Sequence, residues 1–330
     1  MTLIERDLLV IGAGPVGLYA AYYAGFRGLS TAVIDSLPEP GGQVAAMYPE
    51  KPIYDVGGFA AVKGRDLVAG LLEQAAPFDP MYLLGQRAQT LVRDEDGVIE
   101  VLTDSGVEVR SRAVLISGGI GTFTPRPLPA GSEWVGRGVS FFVPSLGEHA
   151  DRQVVVVGGG DSACDWALGL EPIARSVTLV HRRPAFRAHA HSVDRLMASS
   201  VEVITNAQVS AVHGGETVEA LEITGKDGAV LTRPAQAVIA ALGFTANLGP
   251  IREWGLQIVG NRYIPVDTTM ATNLRGVFAA GDITDYRGKV RLISVGFGEA
   301  ATAVNNAAVL INPDEQLFPG HSSDSPPVPV

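Results

Sequence analysis

The chain has 330 residues, 46% of them hydrophobic and 18% charged, so it can bury substantial cores and has the length of about two ordinary domains. Its formal net charge of −10 argues against nucleic-acid binding, which needs clustered Lys and Arg to neutralise phosphates. Its single cysteine, Cys164, excludes an intrachain disulfide, a cysteine-rich zinc site and a Cys-x-x-Cys redox centre within this chain.

No targeting or membrane segment is recognisable. Residues 1–7 mix charged and apolar side chains and lack the basic leader and apolar stretch of an export signal. Apolar runs such as residues 154–157 have the length of a strand, far below the roughly 20 residues of a membrane span. We therefore expect a cytoplasmic protein that does not associate with membranes.

One strand–helix–strand pattern occurs twice. Residues 7–12 and 31–34 are apolar runs that flank a small-residue helix at 18–25. The second copy comprises residues 153–157, 161–169 and 176–180. Such alternation predicts parallel sheets with right-handed crossovers. The predicted fold class is therefore α/β, with two Rossmann-like dinucleotide-binding domains.

The second domain is predicted to be inserted into the first. Between the two copies, residues 98–101 and 108–109 have the pattern of meander strands. Two later strands, at 113–117 and 237–242, run into glycines, and we place the domain crossings there. The first domain then comprises residues 1–118 and 243–330, and the second comprises residues 119–242.

The first glycine loop follows a strand and opens a helix. Glycines at 12, 14 and 17 permit a tight turn, a close approach to a pyrophosphate and close packing of helix on strand. The anion would lie on free N–H groups at the positive end of the helix. Asp35, at the end of the second strand, is placed to accept hydrogen bonds from ribose hydroxyls. The candidate residues of this site are Gly12, Gly14, Pro15, Gly17 and Asp35.

The second glycine loop is followed by basic residues where the first has Asp35. A carboxylate at that place would repel a 2′-phosphate, whereas guanidinium groups bind one through charge-assisted hydrogen bonds. NADPH is therefore favoured over NADH at this site. Its candidate residues are Gly158, Gly160, Asp161, Ser162, His181, Arg182, Arg183 and Arg187.

Two dinucleotide sites of this kind indicate FAD supplied with electrons by NADPH through hydride transfer. A further strand ends in Gly281-Asp282, and Asp282 could reach the ribityl or phosphate region of the flavin. A helix predicted at 299–310 would direct its N-terminus at the flavin pyrimidine and stabilise negative charge there. No metal is predicted, because His189 and His191 have no recognisable partners at ligand spacing.

With these features the chain resembles the thioredoxin reductases, a family of two-domain flavoproteins. The resemblance covers almost the whole chain and is carried by the two glycine loops, Gly41-Gly42-Gln43, His181-Arg182-Arg183 with Arg187, and Gly281-Asp282. It implies that Gly42 and Gln43 contact FAD. By this alignment Phe142 and Ser145 stand at the places of the family's redox cysteines, and neither side chain can exchange disulfides.

A cysteine-free branch, the thioredoxin-reductase-like ferredoxin-NADP reductases, is more similar still. The segments that carry this resemblance are Tyr48-Pro49-Glu50-Lys51-Pro52-Ile53-Tyr54-Asp55-Val56, Thr122-Phe123-Thr124-Pro125-Arg126, Phe186-Arg187-Ala188-His189 and Gly296-Phe297-Gly298-Glu299-Ala300. The branch implies ferredoxin or flavodoxin as electron carrier and a homodimer. It implies further that Tyr48 stacks on the flavin, that His321 in a C-terminal extension covers the opposite face, and that Phe123 and Ser322 belong to the FAD site.

Two other functions stay open at this stage. The chain could be an NADPH diaphorase or quinone reductase with incidental activity towards carriers, or a flavin-based redox sensor with little turnover. Cys164, among Ala163, Trp166 and Ala167, has the pattern of a buried small hydrophobic residue, so we expect no redox role for it.

Overall fold

The computed structural model describes residues 2–321, apart from the side chains of Thr122, Phe123 and Ala246. These residues form two compact units, which are a discontinuous unit of residues 2–122 and 246–321 and an inserted unit of residues 123–245. The divisions fall inside two short strands, at 122–125 and 244–247, and not at the glycines that precede them.

Residues 2–321 contain six α-helices. They are α1 (Pro15–Phe26), α2 (Gly42–Met47), α3 (Gly64–Ala75), α4 (Asp161–Leu170), α5 (Ala190–Met197) and α6 (Ile293–Ile311). The strands of the same residues are β1 (Thr2–Ile11), β2 (Thr31–Asp35), β3 (Pro52–Ile53), β4 (Val62–Lys63), β5 (Met81–Leu84), β6 (Ala88–Arg93), β7 (Ile99–Thr103), β8 (Val107–Ile116), β9 (Thr122–Pro125), β10 (Val139–Ser140), β11 (Gln153–Gly158), β12 (Ser176–His181), β13 (Glu202–Thr205), β14 (Ala207–Gly214), β15 (Val218–Gly225), β16 (Val230–Pro234), β17 (Ala237–Ala241), β18 (Phe244–Asn247), β19 (Ile264–Pro265), β20 (Val277–Ala279) and β21 (Thr284–Asp285).

The main sheet of the discontinuous unit is parallel at its centre. Strands β5, β2, β1, β8 and β20 run parallel in that order, and β7 and β6 add an antiparallel meander beside β8. Ile11 pairs with both Ile34 and Ile116, and Ile116 also pairs with Ala279. Because these residues lie at or next to the ends of their strands, the chain segments that follow them meet at one edge of the sheet.

The two faces of this sheet are buried by different elements. Alternate residues such as Leu8, Val10 and Leu115 face a core formed with α1, α3 and α6. Their neighbours Leu9 and Ile116 face a second core. The segment after β18 covers this core with Ile251, Trp254 and Leu256. Period-two burial on both faces is what a parallel strand covered on two sides requires.

The inserted unit has a second parallel sheet, of order β10-β17-β11-β12-β13, and an antiparallel meander of β14, β15 and β16. Val155 and Val238 from the sheet share one buried core with Val209 and Leu221 from the meander. The repeated strand–helix–strand pattern therefore forms one parallel sheet in each unit, as the sequence predicts.

Two element predictions are wrong. The strands expected at 108–109 and 113–117 are one continuous strand, β8, because Ser111 continues the pairing with both β7 and β1. The helix expected at 299–310 begins at Ile293, so Glu299 lies inside α6 and not at its N-terminus. Position 296 of this helix needs a glycine, because a side chain there would overlap Val16 of α1. None of the helices within residues 2–321 is long and apolar enough to span a bilayer.

Gly17 and Gly14 provide a test of how α1 packs on β1. A Cβ on Gly17 would overlap the carbonyl oxygen of Gly12, whereas a Cβ on Gly14 would meet nothing within 4 Å. We expect Gly17→Ala to lower the free energy of unfolding by about 2–3 kcal/mol through overpacking. Gly14→Ala is the matched control and should change it by less than about 1 kcal/mol. Chemical denaturation of both variants measures this, and equal stabilities would contradict the packing argument.

Candidate dinucleotide sites

The first glycine loop leaves open space in front of a helix N-terminus. Gly12 has φ +113° and its Cα lies so close to Ser117 that a Cβ would come 2.6 Å from the Ser117 carbonyl oxygen. The N-cap of α1 is Gly14, and no side chain caps the helix. Because nothing lies within 4 Å of a Cβ on Gly14, an anion can approach the first backbone N–H groups of α1. The loop therefore fits a pyrophosphate.

Asp35 lies beside this loop at the end of β2. Its Oδ2 accepts a hydrogen bond of 2.6 Å from the N–H of Ala13, and its Oδ1 accepts one of 2.8 Å from the N–H of Leu37. Burial raises the pKa of Asp35, and the hydrogen bonds from these backbone N–H groups act in the opposite direction. The Asp35 carboxylate is thus held by the glycine loop, through Ala13, and by the residues that follow β2, through Leu37.

A second glycine pair approaches the first loop. The N–H of Gly41 donates to the carbonyl oxygen of Ala13 at 2.7 Å, and a Cβ on Gly42 would lie 2.9 Å from the Cα of Gly14. The Nε2 of Gln43 in turn lies 3.0 Å from the place of a Cβ on Gly119. Three segments that are far apart in the sequence are therefore brought together at the first glycine loop.

The Gly281-Asp282 turn is attached to a buried ion pair that the sequence analysis missed. Glu299 accepts a hydrogen bond of 2.7 Å from the N–H of Gly281 and further hydrogen bonds from the hydroxyl of Tyr286 and the ammonium of Lys289. The side chains of Lys289 and Glu299 are only 2% and 4% exposed. The sequence contains no local signal for this pair, since ten residues and a loop separate its members.

Titrating groups near this turn interact with one another. Burial raises the pKa of Asp282, and the positive charges of Lys289 and Arg291 oppose that shift. Burial, followed by the charges of Asp282 and Asp55, raises the pKa of Tyr48 to about 12. Tyr48 therefore lies near both carboxylates, and its phenol stays protonated and neutral at physiological pH.

The glycine loop of the inserted unit has the same construction. A Cβ on Gly158 would overlap the carbonyl oxygen of Ala241, whereas a Cβ on Gly160 would meet nothing within 4 Å. Gly160 is the N-cap of α4, again without a side-chain cap. Asp161, in the first turn, accepts a hydrogen bond of 2.8 Å from the N–H of His189. Ser162 follows it in the same turn.

The basic segment after β12 separates into one buried ring and three exposed guanidinium groups. His181 is buried, stacks on Phe186 with ring centroids 5.1 Å apart, and lies directly over Gly159. Arg182, Arg183 and Arg187 are exposed. The backbone N–H of Arg187 donates to the carbonyl oxygen of Gly159 at 2.7 Å, so this segment is joined to the glycine loop.

Cys164 and Phe142 are the residues of the inserted unit that bear on thiol chemistry. Cys164 is fully buried in α4, and burial, with Asp165 and Asp161 nearby, raises the pKa of its thiol to about 11. Phe142 stacks on Phe244 with centroids 5.4 Å apart. Within residues 2–321, no group of three His, Cys, Asp or Glu side chains could hold a metal ion.

Within the discontinuous unit, Arg27 holds the C-terminal segment through hydrogen bonds. The buried Arg27 side chain donates to Glu315, to Asn305 and to the carbonyl oxygens of Gln316 and Leu317. Beyond this attachment His321 is exposed, with its ring edge-on to Phe318. Ser322 and the side chain of Phe123 lie outside the described residues.

Comparison with known proteins agrees with this geometry. The chain matches the family described as pyridine nucleotide-disulphide oxidoreductase over residues 6–307. A protein from Nocardioides sp. (strain ATCC BAA-499 / JS614), named ferredoxin--NADP reductase, is 64% identical over 97% of this chain and 98% of its own. One of the same name from Salinispora arenicola (strain CNS-205) is 61% identical over 97% and 99%. The crystal structure of T. acidophilum thioredoxin reductase has a TM-score of 0.76 at 24% identity, covering 92% of this chain and 98% of that one.

The chain belongs to the pyridine nucleotide-disulphide oxidoreductase family. The fold class expected from the sequence, two Rossmann-like domains of which one is inserted into the other, is confirmed. The predicted resemblance to the ferredoxin-NADP reductases within this family is confirmed as well.

The buried ion pair predicts a specific pattern of stability. Lys289→Met should lower the free energy of unfolding by about 3–5 kcal/mol, because it leaves the carboxylate of Glu299 buried without a cation. The double variant Lys289→Met/Glu299→Gln should recover much of that loss. Lys63→Met is the control, since Lys63 pairs with Glu50 while 46% exposed and should contribute less than about 1 kcal/mol. Chemical denaturation measures all three, and a double variant no more stable than Lys289→Met would refute the interpretation.

Proposed function

We propose that this protein is an NADPH-dependent flavoprotein reductase that passes electrons through FAD to ferredoxin. The observation that carries the proposal is the pair of dinucleotide cradles, one followed by a carboxylate and the other by arginines, in a chain whose only thiol is buried. It is supported by relatives that are 64% and 61% identical over 97% of the chain and bear the name ferredoxin--NADP reductase.

FAD is assigned to the discontinuous unit. The N-terminus of α1 takes its pyrophosphate, Asp35 accepts hydrogen bonds from its ribose, and Asp282 does so from its ribityl chain. Tyr48 stacks on the isoalloxazine with a neutral ring, which adds no charge beside the flavin. The full set of residues assigned to FAD is Gly12, Gly14, Pro15, Gly17, Asp35, Gly42, Gln43, Tyr48, Phe123, Gly281, Asp282 and Ser322.

NADPH is assigned to the inserted unit. Gly158, Gly160, Asp161 and Ser162 form the turn that receives its pyrophosphate at the N-terminus of α4. The exposed Arg182, Arg183 and Arg187 bind the 2′-phosphate, and the buried His181 supports the loop from behind. In this proposal the three arginines bind the nucleotide, and His181 has a packing role only.

The bound flavin supplies the change from two-electron to one-electron chemistry, because it takes a hydride from NADPH and releases electrons singly. The side chains bind and orient, and none is required as an acid, base or nucleophile. Glu299 and Lys289 keep the turn of Asp282 in place through buried hydrogen bonds. Cys164 takes no part, since a thiol with a pKa of about 11 is not a nucleophile at neutral pH.

The remaining assignments follow from the resemblance. We propose that the protein is a cytoplasmic homodimer, that flavodoxin can replace ferredoxin, and that His321 covers the flavin face opposite Tyr48. The attachment of the C-terminal segment by Arg27 supports the last assignment, because it holds Gln316 and Leu317, a few residues before the exposed His321.

The cofactor preference can be tested at the arginines. Arg183→Gln/Arg187→Gln should lower kcat/KM for NADPH about 100-fold or more, since each lost charge-assisted hydrogen bond costs roughly 1.5–3 kcal/mol. The value for NADH should change less than about threefold, because NADH has no 2′-phosphate. Arg195→Gln, in the last turn of α5, is the control and should behave like the wild type. Equal losses for both nucleotides would contradict the assignment.

The electron acceptor can be identified by anaerobic titration. Purified protein should be yellow, should bleach with NADPH, and should be reoxidised by ferredoxin while thioredoxin has no effect. Ferredoxin-dependent reduction of cytochrome c measures the turnover. Fast quinone turnover without a ferredoxin effect would favour a diaphorase, and negligible turnover with every acceptor would favour a redox sensor. A colourless protein that does not bind added FAD would overturn all three functions, the ferredoxin reductase, the diaphorase and the redox sensor.

A further inference from the structure

The three arginines assigned to the 2′-phosphate lie on one short segment between a strand and a helix. This arginine segment, residues 182–189, begins after the last residue of β12 and ends at the N-cap of α5. Arg182, Arg183 and Arg187 are exposed, and within residues 2–321 none of their guanidinium groups forms an ion pair. With no ion pair to fix them, the arginines are placed by the backbone of the segment.

Two attachments hold the middle of the arginine segment. The ring of His181 stacks on Phe186, with ring centroids 5.1 Å apart, and its Nε2 lies 3.1 Å from the carbonyl oxygen of Ala185. The N–H of Arg187 donates to the carbonyl oxygen of Gly159 at 2.7 Å. The middle of the segment is thus held against the end of β12 and against the glycine loop.

The end of the arginine segment is attached by one carboxylate. Asp161, the first residue of α4, accepts at its Oδ1 a hydrogen bond of 2.8 Å from the N–H of His189, the N-cap of α5. This contact joins the N-terminal ends of the two helices. Because its acceptor is a side chain, a substitution can remove it, which is not possible for the backbone hydrogen bond from Arg187 to Gly159.

The charge of Asp161 argues against a direct contact of its side chain with the nucleotide. A carboxylate repels both the pyrophosphate and the 2′-phosphate, whereas a glycine loop binds a pyrophosphate through backbone N–H groups. The simpler alternative is that this acid only stabilises α4 through the helix dipole. That role depends on the negative charge, whereas the attachment of His189 depends on a hydrogen-bond acceptor, so the two roles can be separated.

We propose that Asp161 is a positioning residue that sets the preference for NADPH over NADH, acting through the arginine segment and not on the nucleotide. The inference rests on the assignment of NADPH to the inserted unit under the proposed function. By holding His189, Asp161 keeps the end of the segment beside the turn that receives the pyrophosphate. A looser segment would have to be ordered when the 2′-phosphate binds, which costs affinity. NADH has no 2′-phosphate and does not bear that cost.

The test compares two variants of Asp161 in the full-length holoprotein. Asp161→Ala removes both the charge and the acceptor. Asp161→Asn removes only the charge, because its amide oxygen can still accept from the N–H of His189. Asp94→Ala is the matched control, since the Oδ1 of Asp94 also accepts a backbone N–H, from Val98 at 2.8 Å, in a turn of the discontinuous unit.

Three quantities are measured for each protein. The Kd of adenosine 2′,5′-bisphosphate, obtained by calorimetry, reports contacts to the 2′-phosphate without any turnover. The ratio of kcat/KM for NADPH to that for NADH, with ferricyanide as electron acceptor, reports the preference. Chemical denaturation reports the stability. Arg183→Gln/Arg187→Gln is measured alongside as the reference for lost contacts to the 2′-phosphate.

Asp161→Ala should raise the Kd of the bisphosphate about tenfold and lower the NADPH-to-NADH ratio by a similar factor, which corresponds to one hydrogen bond to a charged group. The loss should appear in KM for NADPH and not in kcat, because the 2′-phosphate is bound equally before and during hydride transfer. Asp161→Asn should restore the Kd to within about threefold of the wild type, since it keeps the acceptor. Asp94→Ala should match the wild type.

Three outcomes would overturn the proposal. If Arg183→Gln/Arg187→Gln weakens binding of the bisphosphate and Asp161→Ala does not, the positioning role is wrong while the reductase function stands. If Asp161→Ala and Asp161→Asn change the Kd equally, or change only the stability, Asp161 acts through its charge. If the arginine variant itself binds the bisphosphate like the wild type, the assignment of NADPH to this segment fails, and with it that part of the proposed function.

Discussion

The close approach of α1 to β1 is the constraint on which the discontinuous unit depends. With no side chain at Gly12 or Gly17, the backbone reverses within a few residues and the helix begins directly at the edge of the sheet. The N-terminus of α1 is then left without a side-chain cap and faces open space at Gly14. The first N–H groups of a helix and its dipole favour an anion, so the packing that builds the fold also leaves this helix end open to one.

The same construction at Gly158 and Gly160 shows that the loops alone do not distinguish one dinucleotide from another. The distinction lies one strand further on, where Asp35 follows β2 and three exposed arginines follow β12. A carboxylate suits hydroxyl groups and guanidinium groups suit a phosphate, and this difference in charge is the basis on which we propose different nucleotides for two nearly identical turns.

A buried thiol determines where electrons can leave. The only cysteine is enclosed in α4 with a raised pKa, so it is not a thiolate that could exchange electrons with a flavin. Under the proposed function, electrons therefore leave from the flavin itself. The buried pair of Lys289 and Glu299 holds the turn of Gly281 and Asp282 beside the site proposed for that flavin.

The sequence alone determined the two parallel-sheet units, both glycine loops, Asp35 and the arginines, because each depends on residues within about 30 positions of one another. It predicted the start of α6 wrongly, since Gly296 and Gly298 are typical of a loop and only the neighbouring α1 explains a glycine inside the helix. Tertiary structure alone decided that Glu299 pairs with Lys289 and that the ring of His181 lies over Gly159. These contacts depend on how separate elements pack, and no periodicity or spacing along the chain encodes them.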